Sequence, residues 1–409
     1  MNNQPMRGVK VVEVAQFTFT PAAGAVLADW GADVIKIEHA VRGDAQRGIK
    51  IGTGGAGAGS FQPLMEHPNR GKRSVGIALE TEGGRKLLDE LVADADVFVT
   101  NFLPGARAKL RIDVDDIRAV NPNIIYARGT AFGPKGPEAE LGGYDASVFW
   151  CRGGSAYGST ASDATRISPM PAGAYGDSIG GMTIAGGIAA ALFQRANTGE
   201  PSVVDVSLLS MGAWANALSI GTALLTNENP RRLKMDDPGF MPVNPIVGTF
   251  RTEDGRFINL TMLQPGRYWA DVCRHIDRVD AIEDERFDSA EKLMANAAEA
   301  GAIVAEAIES KPFSHWVERF KTLEGQWATV QSSLEVAADP QVRANGYVLR
   351  VIDEEGNERE LVSSPVQFDE TPFDISRAPQ FAEHTDEVIS SLGYSEDELI
   401  QLKIDGAIT

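Results

Sequence analysis

The segment VKVVEVAQFTFTPAAGAVLADWGADVIKIE, Val9 to Glu38, decides the fold. Its first part, VKVVEVAQF, is an apolar, valine-rich run of strand length. PAAGAVLADWGA follows and predicts a helix opened by Pro21 and closed near Gly31. DVIKIE, Asp33 to Glu38, is a second short apolar run. Strand, helix and strand in this order form a βαβ unit, which implies parallel strands and a right-handed crossover.

The pattern continues downstream. KRSVGIAL (72–79) predicts a third strand, and TEGGRKLLDELVADA (81–95) a helix with Thr81 as its N-cap. DVFVTNF (96–102) and IIYARGT (124–130) predict two more strands, separated by the helical VDDIRAVNP (114–122). The expected fold is α/β with a mostly parallel sheet, and ligand sites belong at the strand C-terminal ends. Residues 131–177 are rich in Gly, Ser and Ala, a composition that fits a functional loop better than a core. A long apolar helix comes next, then PSVVDVSLLSMGAWANALSIGTALL (201–225), a strand running into another helix. Prolines, asparagines and charges cluster over 226–245 and mark an exit from the first domain. IVGTFRTEDGRFINLTM (246–262) predicts a β-hairpin turning at Asp254-Gly255. The expected division is 1–225, a smaller domain over 226–325, and a returning C-terminal part, 326–409.

Bulk properties exclude several functions. The net charge of −19 argues against nucleic acid as a partner, because phosphate backbones need clustered basic charge. No stretch of about 18 uninterrupted apolar residues predicts a membrane span. The N-terminus lacks the apolar core of a signal peptide. Two cysteines are too few for a disulfide framework, so a cytoplasmic location is expected. His39, His67, His275, His315 and His384 have no metal-ligand spacing and accompany no G-x-S-x-G elbow. They are expected to be surface or packing residues, and no metal is expected. The turn after the first strand carries QFTFTPAAGA in place of G-x-G-x-x-G, so support for a nicotinamide or flavin cofactor is lost. Basic residues do gather near predicted strand ends: Arg42, Lys72, Arg73, Arg107, Lys109 and Arg111. Converging loops with this charge could hold a phosphate-bearing ligand against the global negative field.

GAYGDSIGGM, Gly173 to Met182, places one carboxylate, Asp177, among glycines at the start of an apolar helix. Two roles stay open for it. An aspartate there can cap the helix by accepting backbone N–H bonds. It can equally be an ionised nucleophile, favoured by the helix N-terminus, with glycines leaving room for an acyl group.

These blocks, in their order and spacing, resemble the class III CoA-transferases of the CaiB/BaiF type, a family that also includes 2-methylacyl-CoA racemases. The resemblance runs from about residue 7 to the C-terminus. It is carried by GVKVVEVAQFTFTPAAGAVLADWGADVIKIEHAVRGDAQRG, RGKRSVGIALETEGGRKLLDELVADADVFVTNFLPGA, NPNIIYARGTAFGPKGP, GAYGDSIGGM and RAPQFAEHTDEVISSLGYS. It implies a Rossmann-like large domain, a smaller inserted α+β domain and an interlocked homodimer. It implies acyl-CoA and carboxylic acid substrates, with coenzyme A as substrate and no tightly bound cofactor. Asp177 maps onto the nucleophile, which forms an aspartyl-acyl anhydride and then an aspartyl-CoA thioester. CoA contacts map onto Phe17, Thr18 and Phe19, onto Arg42, onto Ile77, Ala78 and Leu79, onto Asn101 and Phe102, and onto Lys109. Gly143, Tyr144 and Asp145 map beside the thioester.

Two departures bear on the chemistry. The racemases carry a histidine where GGYDAS has Tyr144, and a small-domain glutamate that aligns with Gln264. Tyrosine and glutamine are poor bases near neutral pH, so transfer is favoured over racemisation. A racemase or epimerase, and a non-catalytic acyl-CoA-binding protein, remain the alternatives. The segment DDPGFMPVNPIVG holds fewer glycines than the loop of formyl-CoA enzymes, so formate and oxalate are not implied. Trp150, Phe240 and Met241 could line a larger acyl site or belong to a core.

Overall fold

Valines at 11, 12 and 14 are buried in β1 (Lys10–Val14), which lies inside a six-stranded sheet. A strand buried on both faces reads as an unbroken apolar run, as this one does. The other strands are β2 (Asp33–Glu38), β3 (Arg73–Gly76), β4 (Val97–Thr100), β5 (Ile125–Thr130) and β6 (Val203–Ser207). Their order is β3-β2-β1-β4-β5-β6, with every neighbouring pair parallel. The order reverses between β1 and β4. Loops leaving those two strands diverge, and a crevice opens at their C-terminal ends. This computed structural model describes residues 4–49, 61–235 and 237–409. The first three residues, part of the segment inspected for a signal peptide, lie outside it, as does Asp236 of the DDPGFMPVNPIVG segment.

Helices cover both faces: α1 (Phe19–Asp29), α2 (Pro63–Asn69), α3 (Glu82–Ala93), α4 (Pro104–Leu110), α5 (Val114–Val120), α6 (Ser155–Ser159), α7 (Tyr175–Thr198), α8 (Leu208–Ala215) and α9 (Ala217–Thr226). Successive strand residues point to opposite faces. Val11, Val97 and Ile125 therefore pack with Phe19 and Leu27 of α1 and Ile184 and Ile188 of α7. Val12, Phe98 and Tyr126 pack on the other face with Leu87 and Leu88 of α3 and Ile117 of α5. The Thr81 side chain accepts from the Gly84 amide and caps α3 as expected.

By length and composition, α7 is apolar enough to cross a membrane, as is the bent pair α8 and α9. Ile184, Ala185 and Ile188 are fully buried, so α7 is a core helix. Two glycines let it approach α1. A Cβ on Gly181 would stand 2.4 Å from Ala22 Cβ, and one on Gly180 would stand 2.3 Å from Phe19 Cε2. The N-terminal turns of α1 and α7 are thereby brought together.

The chain forms two compact units, Met1–Arg232 with Pro340–Thr409, and Leu233–Asp339. The second has an antiparallel sheet of β7 (Phe240–Met241), β8 (Asn244–Arg251), β9 (Phe257–Thr261) and β10 (Trp327–Thr329), in the order β10-β9-β8-β7. The hairpin joining β8 to β9 turns at Gly255, whose φ is +77°. The contact-defined junctions are at 233 and 339, beyond the 226 and 325 expected from composition. The later end reflects β10, which pairs with β9 and so belongs to this unit. Phe240 stacks on Phe250 in the unit's core, which disposes of its expected alternative as an acyl-site residue.

Candidate active site

The crevice at the sheet's switch point holds two cavities that meet at Phe102. The first, of about 430 Å³, lies beyond the ends of β1 to β4. Gln16, Ile77, Leu79 and Phe102 line it, with the exposed cations Arg42 and Lys109 on its rim. The second, of about 460 Å³, is lined by Phe17, Phe19, Leu141, Tyr144 and Leu208, and by Asn101, Gly143 and Asp177. The chamber with the cationic rim, which Glu38, Asp44 and Glu80 also line, and a largely apolar chamber bearing Asp177 and Arg107 thus share a wall.

The loop after β1 forms part of that wall. Asn101 holds it from both sides, accepting from the Gln16 amide at 3.0 Å and donating to the Gln16 carbonyl at 2.6 Å. Phe17 then takes a left-handed conformation, φ 65°, which non-glycine residues rarely adopt. Its ring meets Tyr144 edge-on at 5.7 Å. Thr18 is buried and donates to Gln46 Oε1 at 2.9 Å, so it lines neither cavity. Ala78 is also buried, its carbonyl accepting from Thr81.

Asp177 is the third residue of α7, not its cap. The N-cap is Ala174, in the left-handed region at φ 58° and without a side-chain bond. The capping role is therefore corrected: among the described residues, no hydrogen bond to the Asp177 carboxylate is found. Burial raises the Asp177 carboxyl to about 7, and the nearby Asp145 carboxylate adds to the shift. The helix N-terminus pulls the other way, but burial dominates. Asp145 itself is buried and caps a π-helical segment, Ala146–Arg152, accepting from the Ala146 amide at 2.7 Å. Its second oxygen has no hydrogen-bond partner among the described residues.

The glycines around Asp177 serve packing more than access. A Cβ on Gly176 would fall 2.6 Å from the Phe149 ring, while Gly173 alone of the group faces open space. His67 bonds Ser178 at 2.9 Å, and Ser178 in turn donates to the Ala174 carbonyl at 2.8 Å. Burial, then the Arg70 charge, pushes His67 down to about 4. A neutral imidazole therefore steadies the first turn of α7.

The basic cluster read from sequence divides. Lys72 is buried against Glu13 at 2.7 Å, and Arg73 pairs with Asp33 at 2.6 Å at the opposite end of the sheet. Neither lines the cavities. Arg107 reaches the apolar cavity while donating to the Phe102 carbonyl at 2.8 Å. His39, expected to be a surface or packing residue, lines the cationic cavity and pairs with Glu80 at 2.9 Å. Only its position just after DVIKIE could have flagged it. Trp150 is half-buried and donates to the Ser168 carbonyl. Met241 and Gln264 are exposed on the second unit, Gln264 immediately preceding the helix Pro265–His275. Among the described residues no cluster of three or more metal-ligating side chains occurs.

A parallel sheet with a two-chambered crevice at its switch point and a carboxylate in one chamber fits a group-transfer enzyme, and comparison names the family. The family model of CoA-transferase family III matches residues 6–385, so the chain belongs to that family. It is 32% identical over 400 residues to the (R)-2-hydroxy-4-methylpentanoate CoA-transferase of Clostridioides difficile, covering 97% of this chain and 98% of that one. It is 30% identical over 416 residues to the cinnamoyl-CoA:phenyllactate CoA-transferase of Clostridium sporogenes, covering 99% and 97%. A CaiB/BaiF family protein from Brucella suis shares the fold with a TM-score of 0.78 at 29% identity, over 96% of this chain and 100% of that one.

Proposed function

We propose that this CoA-transferase moves CoA from an acyl-CoA to a free carboxylic acid, with Asp177 as the nucleophile. The observation that carries this is the single carboxylate in an apolar cavity that shares Phe102 with a cationic one. Arg42 and Lys109 hold the phosphates of CoA, Ile77 and Leu79 its adenosine end, and the thioester passes Phe102 toward Asp177. A carboxylate oxygen of Asp177 attacks the thioester carbon, the C–S bond breaks, and CoA leaves as thiolate. The thiolate attacks the Asp177 carbonyl of the mixed anhydride and expels the donor acid, leaving an aspartyl-CoA thioester. The acceptor carboxylate displaces that thiolate to form a second anhydride. The thiolate then takes the acceptor acyl group and releases Asp177. No step moves a proton, which suits a site whose neighbouring histidine is neutral. Buried Phe19 and Leu208 limit the water that would hydrolyse either anhydride, while Leu141 and Tyr144 stand exposed at the mouth. The apolar lining also supports an acyl group with an apolar side chain, as in the 4-methylpentanoate, cinnamoyl and phenyllactate groups for which the two clostridial relatives are named.

We further infer that the enzyme works as a homodimer. Helix α9 has no buried residue, and Trp214, Leu218, Leu224 and Leu225 are each more than four-fifths exposed. A second chain covering this face removes the apolar surface from water. Sedimentation of the wild type and of Leu218→Glu tests this, and a monomeric wild type would end it. For the chemistry, mass spectrometry of enzyme mixed with acyl-CoA and hydroxylamine tests the nucleophile. Modification confined to the Asp177 peptide is expected; full turnover by Asp177→Ala would overturn the assignment.

A further inference from the structure

Lys36 is a fully buried lysine on β2. Its ammonium donates to the Ala15 carbonyl at 2.9 Å and to Glu13 at 3.2 Å, and is ion-paired with Asp44 Oδ2 at 2.9 Å. Asp44 closes the loop that carries Arg42. Its backbone amide is held by Glu38, and its free-running oxygen, Oδ1, accepts from the Phe17 amide at 3.2 Å and the Gln46 amide at 2.9 Å. One loop therefore presents Arg42 to the cationic cavity and grips the strained Phe17 amide, whose ring lines the apolar cavity. Lys36 ties both loops to the strand floor. A left-handed phenylalanine persists only where its surroundings hold it.

We propose that Lys36 and Asp44 are positioning residues that couple occupancy of the cationic cavity to the shape of the apolar one. A nucleotide drawing in Arg42 settles the loop ending at Asp44, and Asp44 settles Phe17 against Tyr144. The nucleotide end of the substrate then accelerates chemistry at Asp177 from a distance, as binding energy remote from the reacting bond can. This rests on the acyl-CoA reading above.

The test separates the two halves of the substrate. Acylation of Asp177 by an acyl-pantetheine is followed in single turnovers, with and without adenosine 3′-phosphate 5′-diphosphate, the nucleotide half of CoA. In the wild type the fragment is expected to speed acylation about tenfold. In the charge-neutral pair Lys36→Met with Asp44→Asn, the fragment at saturating concentration should speed acylation less than about twofold. A merely structural role slows acylation with and without the fragment alike. A wild-type enzyme that binds the fragment without acceleration overturns the proposal, as does equal acceleration in the double variant. The wild-type arm stands even where the variant fails to fold. Failure of wild-type enzyme to be acylated by intact acyl-CoA would instead overturn the parent reading.

Discussion

The two cavities are built in different ways. The cationic one is lined by the C-terminal ends of β1 and β2, the turns that follow the strands, and α4 just beyond β4. The apolar one needs segments from residues 17–19, 101–107, 129–147, 177 and 208, which only helix packing brings together. On the proposed reading, the first captures the substrate by charge, and the second holds the reacting carboxylate, which burial and the nearby Asp145 push up to about 7. Loss in the first should weaken capture, while loss in the second should stop chemistry.

The largest expected effect is at Asp177. Asp177→Ala should lower turnover at least about 10⁴-fold, with an unchanged circular dichroism spectrum. Residual transfer near the wild-type rate would erase the division between the cavities.

Ionisation sharpens the same contrast. On the proposed reading the nucleophile is deprotonated Asp177, and burial pushes its carboxyl up to about 7. Acylation rates should therefore rise with pH through 7 and fall about a hundredfold by two units below it, with a single ionisation. A flat profile down to the ordinary carboxylate range would show that Asp177 is not buried in the working enzyme. Stability has the opposite sign. The folded carboxyl keeps its proton to about 7, while an unfolded one releases it near 3.8, so the native state binds more protons in that window. Stability from this group is present below the window and lost as pH rises through it. Asp177→Asn should melt higher than the wild type at about pH 8 and converge with it in acid.

The close approach of α1 and α7 brings Phe19 and Asp177 into one cavity and can be broken directly. Gly181→Ala should cost about 1–3 kcal/mol in urea unfolding, because its methyl meets Ala22 and the backbone of Ala23. It should also slow acylation by parting Phe19 from Asp177. The smallest effect belongs to the cationic side. Lys109→Ala should raise KM for acyl-CoA about tenfold while kcat stays within about threefold. A fall in kcat alone would place Lys109 in the chemistry.

Much of the architecture was legible because it is local. DVIKIE spans the residues of β2, and Thr81 caps α3, since strand alternation and an i to i+3 cap depend on near neighbours. The family blocks pointed to Asp177, Arg42 and Lys109. What local pattern misjudged was orientation. Lys72 and Arg73 looked like ligand cations but sit at the buried or opposite end of a strand. His39 looked incidental and lines a cavity. Of the two roles left open for Asp177, capping fails, because it lies two residues inside a helix that follows a left-handed alanine.

The sequence by itself determined the parallel sheet, the crossovers and the residue types available at the strand ends, because periodicity and turn chemistry act over a few residues. Tertiary structure decided which of them share a cavity and with what ionisation. Gly180 and Gly181 matter only once α1 lies against α7, and Asp177 is pushed up only once the folded chain buries it near Asp145. Burial is a property of the assembled neighbours, and no single stretch of chain encodes it.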